Sequence, residues 1–350
     1  MTLSVFFLLI IAALVFCAMK FAVGNLAFNL FAFRKFSIAE KIILGWAIIS
    51  YSLYLVERLS LRIDVVWGIY VIFFLAILYS IATFKPSVKA RRTFCGFLTI
   101  SLLSMPVLLI QFAPSVLNGQ IFFQNWGPDL DGNLVSIGYL MDGWKHQDLI
   151  NVFSEIIGSR HWGLSDRPDP WYLVDHRDGI AVEFFLRSIR WGHAIEAKFL
   201  NSVFSMPVWF GLMAQMLLSG VLSSWLVFNF AKEKSYNHSY ALFVAIIFSL
   251  SQTVILMFYE GINVQQIYTP VFLYLIFNIQ RLASNDWRDM VAPCAALFIL
   301  MISFGEGAQI YGVIALLYTM LMLNASTWKN ILRNTSVVFA VFLVFFWILS

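Results

Sequence analysis

Residues 3–23 read LSVFFLLIIAALVFCAMKFAV, an apolar run whose one charge is Lys20. About 20 apolar residues wound as an α-helix cross the ~30 Å hydrocarbon core of a bilayer. Met1-Thr2-Leu3-Ser4 carries no basic segment, and no small-x-small cleavage site stands out after the run. It therefore reads as a retained first span and not as a removed signal peptide. Further runs follow at 42–56, 65–84, 94–112, 199–230, 239–259, 262–280, 290–304, 308–323 and 336–350. The run at 199–230 is too long for one perpendicular span, and those at 42–56, 290–304 and 336–350 are short. The chain ends within the last run, as a fragment would, or as a protein would that closes on a helix.

Composition agrees. The chain is 61% hydrophobic, 17% aromatic and 12% charged, against about 25% charged for a soluble domain. In lipid each spanning segment must satisfy its own backbone hydrogen bonds. The expected fold is all-α, a polytopic membrane helix bundle of about ten spans, with one structured outer loop carrying amphipathic interfacial helices.

A polar island interrupts the apolar runs. Gln111 to Lys198 hold eleven of the nineteen acidic residues. The expected units are N-terminal membrane helices at 1–112, an extracytoplasmic loop at 113–198 and C-terminal membrane helices at 199–350. Alternation of ten spans puts fourteen basic residues on one side: Lys20, Arg34, Lys35, Lys41, Lys85, Lys89, Arg91, Arg92, Lys232, Lys234, Arg281, Arg288, Lys329 and Arg333. Only Glu40, Glu233, Asp286 and Asp289 oppose them there, a net of +10; the other side nets −6. By the positive-inside rule the N-terminus and the large loop face outward. Glu260 and the turn Gly305-Glu306-Gly307 fall on that same outer face. The overall charge of +4 is thus a topology signal, and no nucleic-acid partner is expected.

The loop opens with Asn125-Trp126-Gly127-Pro128-Asp129-Leu130-Asp131-Gly132-Asn133. In a Gly/Pro-bounded loop Asp129 and Asp131 can converge on one hydroxyl group as general base, or on one divalent cation such as Mg2+ or Mn2+. The competing structural reading has Asp131 capping a helix over Asn133 to Trp144 and Asp129 shaping the turn after Pro128. Gly179 to Trp191 reads as a helix lying in the interface, with Glu183, Arg187 and Arg190 on one face.

An outer-face Asp-x-Asp followed by the helix Asn133 to Trp144 resembles the GT-C superfamily, integral-membrane glycosyltransferases that use lipid-phosphate-linked sugars. The likeness covers the topology of about residues 94–323 in general form and this one motif in detail. The commonest pattern places the motif after the first span, whereas four expected spans precede it here; the soluble C-terminal domain of many members is not expected within residues 1–350. The resemblance implies Asp129 as the catalytic base and Asp131 as its support or a metal ligand. The partners implied are a polyprenyl-phosphate-linked sugar, a glycan or lipid acceptor, and membrane lipids. Arg160, His161, His176 and Arg177 suit the anionic donor, since the Arg fork binds phosphate bidentately. Lipid headgroups, or pairing with Asp166, Asp169, Asp175 and Asp178, would also account for them.

Glu260, Asn263, Gln265 and Gln266 form a polar rim between two spans, and Glu306 stands between two glycines. Polar groups at membrane depth mark substrate or ion paths, so Glu260, Gln265 and Glu306 are expected to line a sugar pocket; plain interhelical turns are the alternative. Cys17, Cys95 and Cys294 all fall in apolar runs, and no disulfide framework or thiolate metal site is implied. Two other functions fit the same pattern: a surface-polysaccharide polymerase or ligase, and a lipid or sugar transporter or flippase. The transporter would show charged or broken helices near mid-membrane. The expected location is a bacterial inner (plasma) membrane, with the large loop facing the periplasm or exterior.

Overall fold

The structure, a computed structural model, describes residues 3–30, 37–58, 63–83, 191–235, 237–251, 263–322 and 328–349. These residues form ten α-helices: α1 (Leu3–Leu30), α2 (Ile38–Arg58), α3 (Ile63–Thr83), α4 (Trp191–Phe204), α5 (Val208–Ser235), α6 (His238–Ser249), α7 (Asn263–Phe277), α8 (Val291–Ser303), α9 (Gly305–Met322) and α10 (Trp328–Leu349). Two 3-10 turns, Ile279–Ala283 and Trp287–Met290, join α7 to α8. Among the described residues, three helices are long and apolar enough to cross a membrane: Leu3–Leu30, Ile38–Val56 and Val208–Ser235. Shorter apolar stretches are Gly68–Thr83, His238–Ser249 and Gly307–Met322. The helices fall largely within the expected apolar runs, and three candidate spans are found among the described residues against about ten expected for the whole chain. The expected run at 94–112 lies outside the described residues.

Local chemistry sets the helix starts. Ser37 and Glu40 close a reciprocal capping box at α2: Ser37 Oγ accepts from Glu40 N–H, and Glu40 Oε2 accepts from Ser37 N–H. Asn237 Oδ1 caps α6, accepting from the N–H groups of Ser239 and Tyr240 at 3.0 and 3.2 Å.

Small residues and backbone-directed polar groups set the packing. α1 and α2 are antiparallel and touch through their backbones: a Cβ on Gly24 would lie 1.8 Å from Lys41 O, and one on Gly45 1.7 Å from Lys20 O. Only glycine fits such a crossing. α4 folds back on the first turns of α5, with Gly211 against Ala197 and Gln215 Nε2 donating to His193 O at 2.9 Å. α7 runs parallel to α5, since Ser219 Oγ donates to Ile267 O at 2.7 Å and Phe230 stacks on Phe277 with centroids 4.1 Å apart.

One end of the bundle gathers charge. Arg281 pairs with Glu40, and Arg333 donates to Ser284 O and Asn285 O at 3.2 and 3.1 Å. Lys232 and Lys234 end α5 nearby. Among the described residues of the basic side expected from the sequence, Arg281, Arg333, Lys232 and Lys234 gather here. Lys20 is not there. α1 stays helical to Leu30, so Lys20 stands about 15 Å from the end of its helix and is buried in the bundle.

Two other expectations need adjusting. The run at 199–230 is not one tilted helix. It breaks at Ser205-Met206-Pro207, where Ser205 takes φ 51° and Pro207 disfavours helical backbone at Met206. The bend expected at Gly305-Glu306-Gly307 falls at Phe304 (φ −149°, ψ 70°). Gly307 instead makes room for the Phe304 ring, whose Cδ1 would lie 2.3 Å from a Cβ at 307.

Candidate functional site: a buried polar centre

Where α1, α2, α4, α7 and α8 meet, the bundle encloses a group of polar side chains. Glu196 of α4 is its hub. Glu196 Oε2 accepts from Lys20 Nζ at 3.2 Å, and Glu196 Oε1 accepts from Trp46 Nε1 at 2.7 Å and from Ser50 Oγ. Lys20 is 1% exposed and Glu196 0%. The ammonium also lies 3.3 Å from the centroid of the Trp46 ring and 4.0 Å from that of Phe16. One carboxylate and two aromatic faces therefore replace the water this cation would otherwise hold.

The centre extends from Trp46 to Tyr268, whose ring centroids are 5.7 Å apart. Beside Tyr268 stand Gly192 and Ser303: a Cβ on Gly192 would lie 1.8 Å from Ser303 Oγ and 3.0 Å from the Tyr268 hydroxyl oxygen. Glycine at 192 thus allows α4 to approach both hydroxyl groups. The side-chain carbonyl oxygens of Gln215, Gln265 and Gln266 are buried with no hydrogen-bond partner among the described residues. Three donors occupy the Glu196 carboxylate, so the arrangement holds charge and fixes helices; it does not present a free base.

Asp129, Asp131, Arg160, His161, His176, Arg177 and Glu260 lie outside the described residues. Gln265 is half-buried in the first turn of α7, next to buried Gln266. Glu306 is in the first turn of α9. Both helices start at the end of the bundle opposite Arg281. No cluster of three or more His, Cys, Asp or Glu side chains suited to a metal occurs among the described residues, and the Asp129/Asp131 pair is not among them.

Sequence reasoning missed Lys20 and Glu196 by assigning them to opposite sides of the membrane. A signal was available. Lys20 is followed by Phe21-Ala22-Val23-Gly24-Asn25-Leu26-Ala27-Phe28, which continues the helix, and a lone cation within an apolar helix calls for a buried partner. Glu196 carries the weaker signal, since His193 and Lys198 stand within three residues of it.

The three long apolar helices point to an integral membrane protein. Compared with protein-family models, with curated proteins and with solved structures, the chain matches none.

Proposed function

We propose that this chain is a membrane glycosyltransferase of the GT-C type, moving a sugar from a polyprenyl-phosphate donor to a glycan or lipid acceptor at the outer face of a bacterial plasma membrane. The observation that carries the reading is the Asp129-Leu130-Asp131 motif, opening a polar island between apolar helices. Asp129 takes the proton of the acceptor hydroxyl, and Asp131 supports it or holds a divalent cation. Attack on the anomeric carbon inverts its configuration as the lipid phosphate leaves. Arg160 and Arg177, with His161 and His176, neutralise that phosphate. Glu260, Gln265 and Glu306 line the sugar pocket; the start of α7 and the start of α9, at one end of the bundle, support placing Gln265 and Glu306 together.

A second reading gains from a specific observation. A buried Lys20–Glu196 pair, a helix broken at Ser205-Met206-Pro207 and Pro270 within α7 are features expected of a transporter or flippase. One assay separates the two. Proteoliposomes are given a labelled polyprenyl-phosphate sugar with acceptor on the outside. The glycosyltransferase reading expects label on the acceptor with the opposite anomeric configuration. Movement of the intact donor between leaflets, without bond cleavage, establishes the transporter instead.

A further inference from the structure

Cations, indoles and apolar side chains lie exposed together at the charged end of the bundle, a feature independent of the glycosyltransferase reading. Residues 284–290 and the start of α10 are tied together: Asn330 Nδ2 donates to Asn285 Oδ1, and Asn334 Nδ2 donates to Leu282 O and Ser284 O at 3.0 and 2.9 Å. Two residues from the Asn285–Asn330 contact on either strand of the junction stand Trp287 and Trp328, 60% and 42% exposed. Indoles so placed at helix ends sit at headgroup level in a bilayer.

Arg288, Lys329 and Arg333 surround them, all exposed. None is paired with a carboxylate among the described residues. Arg333 is spent on backbone carbonyls, and Lys329 lies over the Trp328 ring, 5.7 Å from its centroid. Asp286 and Asp289 are half-buried beside them: Asp286 Oδ1 accepts from Arg288 N–H at 3.0 Å, and Asp289 Oδ2 accepts from Ser284 Oγ. Below Lys329, Leu332, Phe339 and Leu343 are exposed at helical spacing, and Ser336 between them donates its hydroxyl to Leu332 O at 2.8 Å. Cations above, indoles at the rim and a hydrocarbon stripe beneath reproduce the order of headgroup, interface and acyl chain in one phospholipid.

We infer that the junction of residues 284–290 with α10 binds anionic phospholipid, its phosphate headgroup held by Arg288 and Lys329 and its acyl chain laid along Leu332, Phe339 and Leu343. A cation near the membrane surface strengthens anionic-lipid binding by about fivefold. The test reconstitutes the full chain with phosphatidylcholine alone or with an equal mixture of phosphatidylcholine and phosphatidylglycerol, then measures by native mass spectrometry which lipid stays bound. The expected result is preferential retention of phosphatidylglycerol. That preference falls roughly fivefold for each charge removed in Arg288→Gln and Lys329→Gln, and survives in the Arg288→Lys/Lys329→Arg protein. Both side chains are exposed, so the single variants are expected to fold; elution as the wild-type species by size exclusion checks this. Equal retention of the two lipids by wild type, or an unchanged preference in both Gln variants, overturns the proposal. So does inorganic phosphate that competes away the bound lipid at millimolar concentration, which would mark a site for free anions.

Discussion

Lys20 and Glu196, 176 residues apart in the chain, form a fully buried ion pair at 3.2 Å. The pair ties α1 to the helix that follows the large polar segment, and Trp46 and Ser50 of α2 close around the same carboxylate. Removing one partner leaves the other charge buried without compensation. Lys20→Met or Glu196→Gln is therefore expected to destabilise the bundle by about 3–5 kcal/mol. The joint Lys20→Met/Glu196→Met protein should recover most of that loss, as paired apolar replacements often do. Reversible unfolding in micelles measures both; singles within error of wild type would contradict the geometry.

The close approach of α4 to α8 gives a second prediction. Gly192→Ala introduces a Cβ where Ser303 Oγ now sits, an overpacking expected to cost about 1–3 kcal/mol. Ser303→Gly in the Gly192→Ala background should restore much of the stability. A double-mutant cycle reads the coupling, and additive effects would place the two residues apart.

Asn201 holds the broken α4–α5 corner. Its Oδ1 accepts from Gly211 N–H at 2.6 Å, and its Nδ2 donates to Val208 O at 3.0 Å. Asn201→Ala leaves a buried N–H without its partner, at a cost of about 1–3 kcal/mol. Asn201→Leu should be no better, because size alone does not supply the acceptor. Thermal unfolding of the two variants, side by side, checks this.

The crossing of α1 and α2 tolerates no side chain at Gly24 or Gly45. Gly45→Leu should separate the two helices and with them the Lys20–Trp46 contact. Tryptophan emission is the readout: the buried Trp46 indole would move to a more polar setting and shift to longer wavelength. Unchanged emission together with unchanged stability would be inconsistent with backbone contact at this crossing.

Helix positions were legible in the sequence because apolar runs and turn residues mark them locally. The Ser37-Ile38-Ala39-Glu40 capping box and the Asn237 cap are signals of that kind. What lies between helices was less legible. The break at Ser205-Met206-Pro207 is signalled only by Pro207, inside a run that hydropathy alone treats as continuous. The Lys20–Glu196 pair depends on a tertiary contact across most of the chain, and charge counting by sides assigned its members to opposite faces. Lys20 can be read as a loop charge only if α1 stops at Val23; it continues to Leu30. For the site itself, Gln265 lies in the first turn of α7 and Glu306 falls inside α9 and not in the turn expected between spans, while the Asp-x-Asp and Arg/His groups lie outside the described residues.

Purified protein in nanodiscs is offered a panel of polyprenyl-phosphate sugars with a glycan or lipid acceptor, alongside an Asp129→Asn variant shown to fold like wild type. Wild type is expected to transfer sugar from at least one donor, with a loss of at least ~100-fold in the variant, the range set by removing a general base. Transfer that persists undiminished in Asp129→Asn, or no release of sugar from any donor by well-folded wild type, would contradict the proposed function.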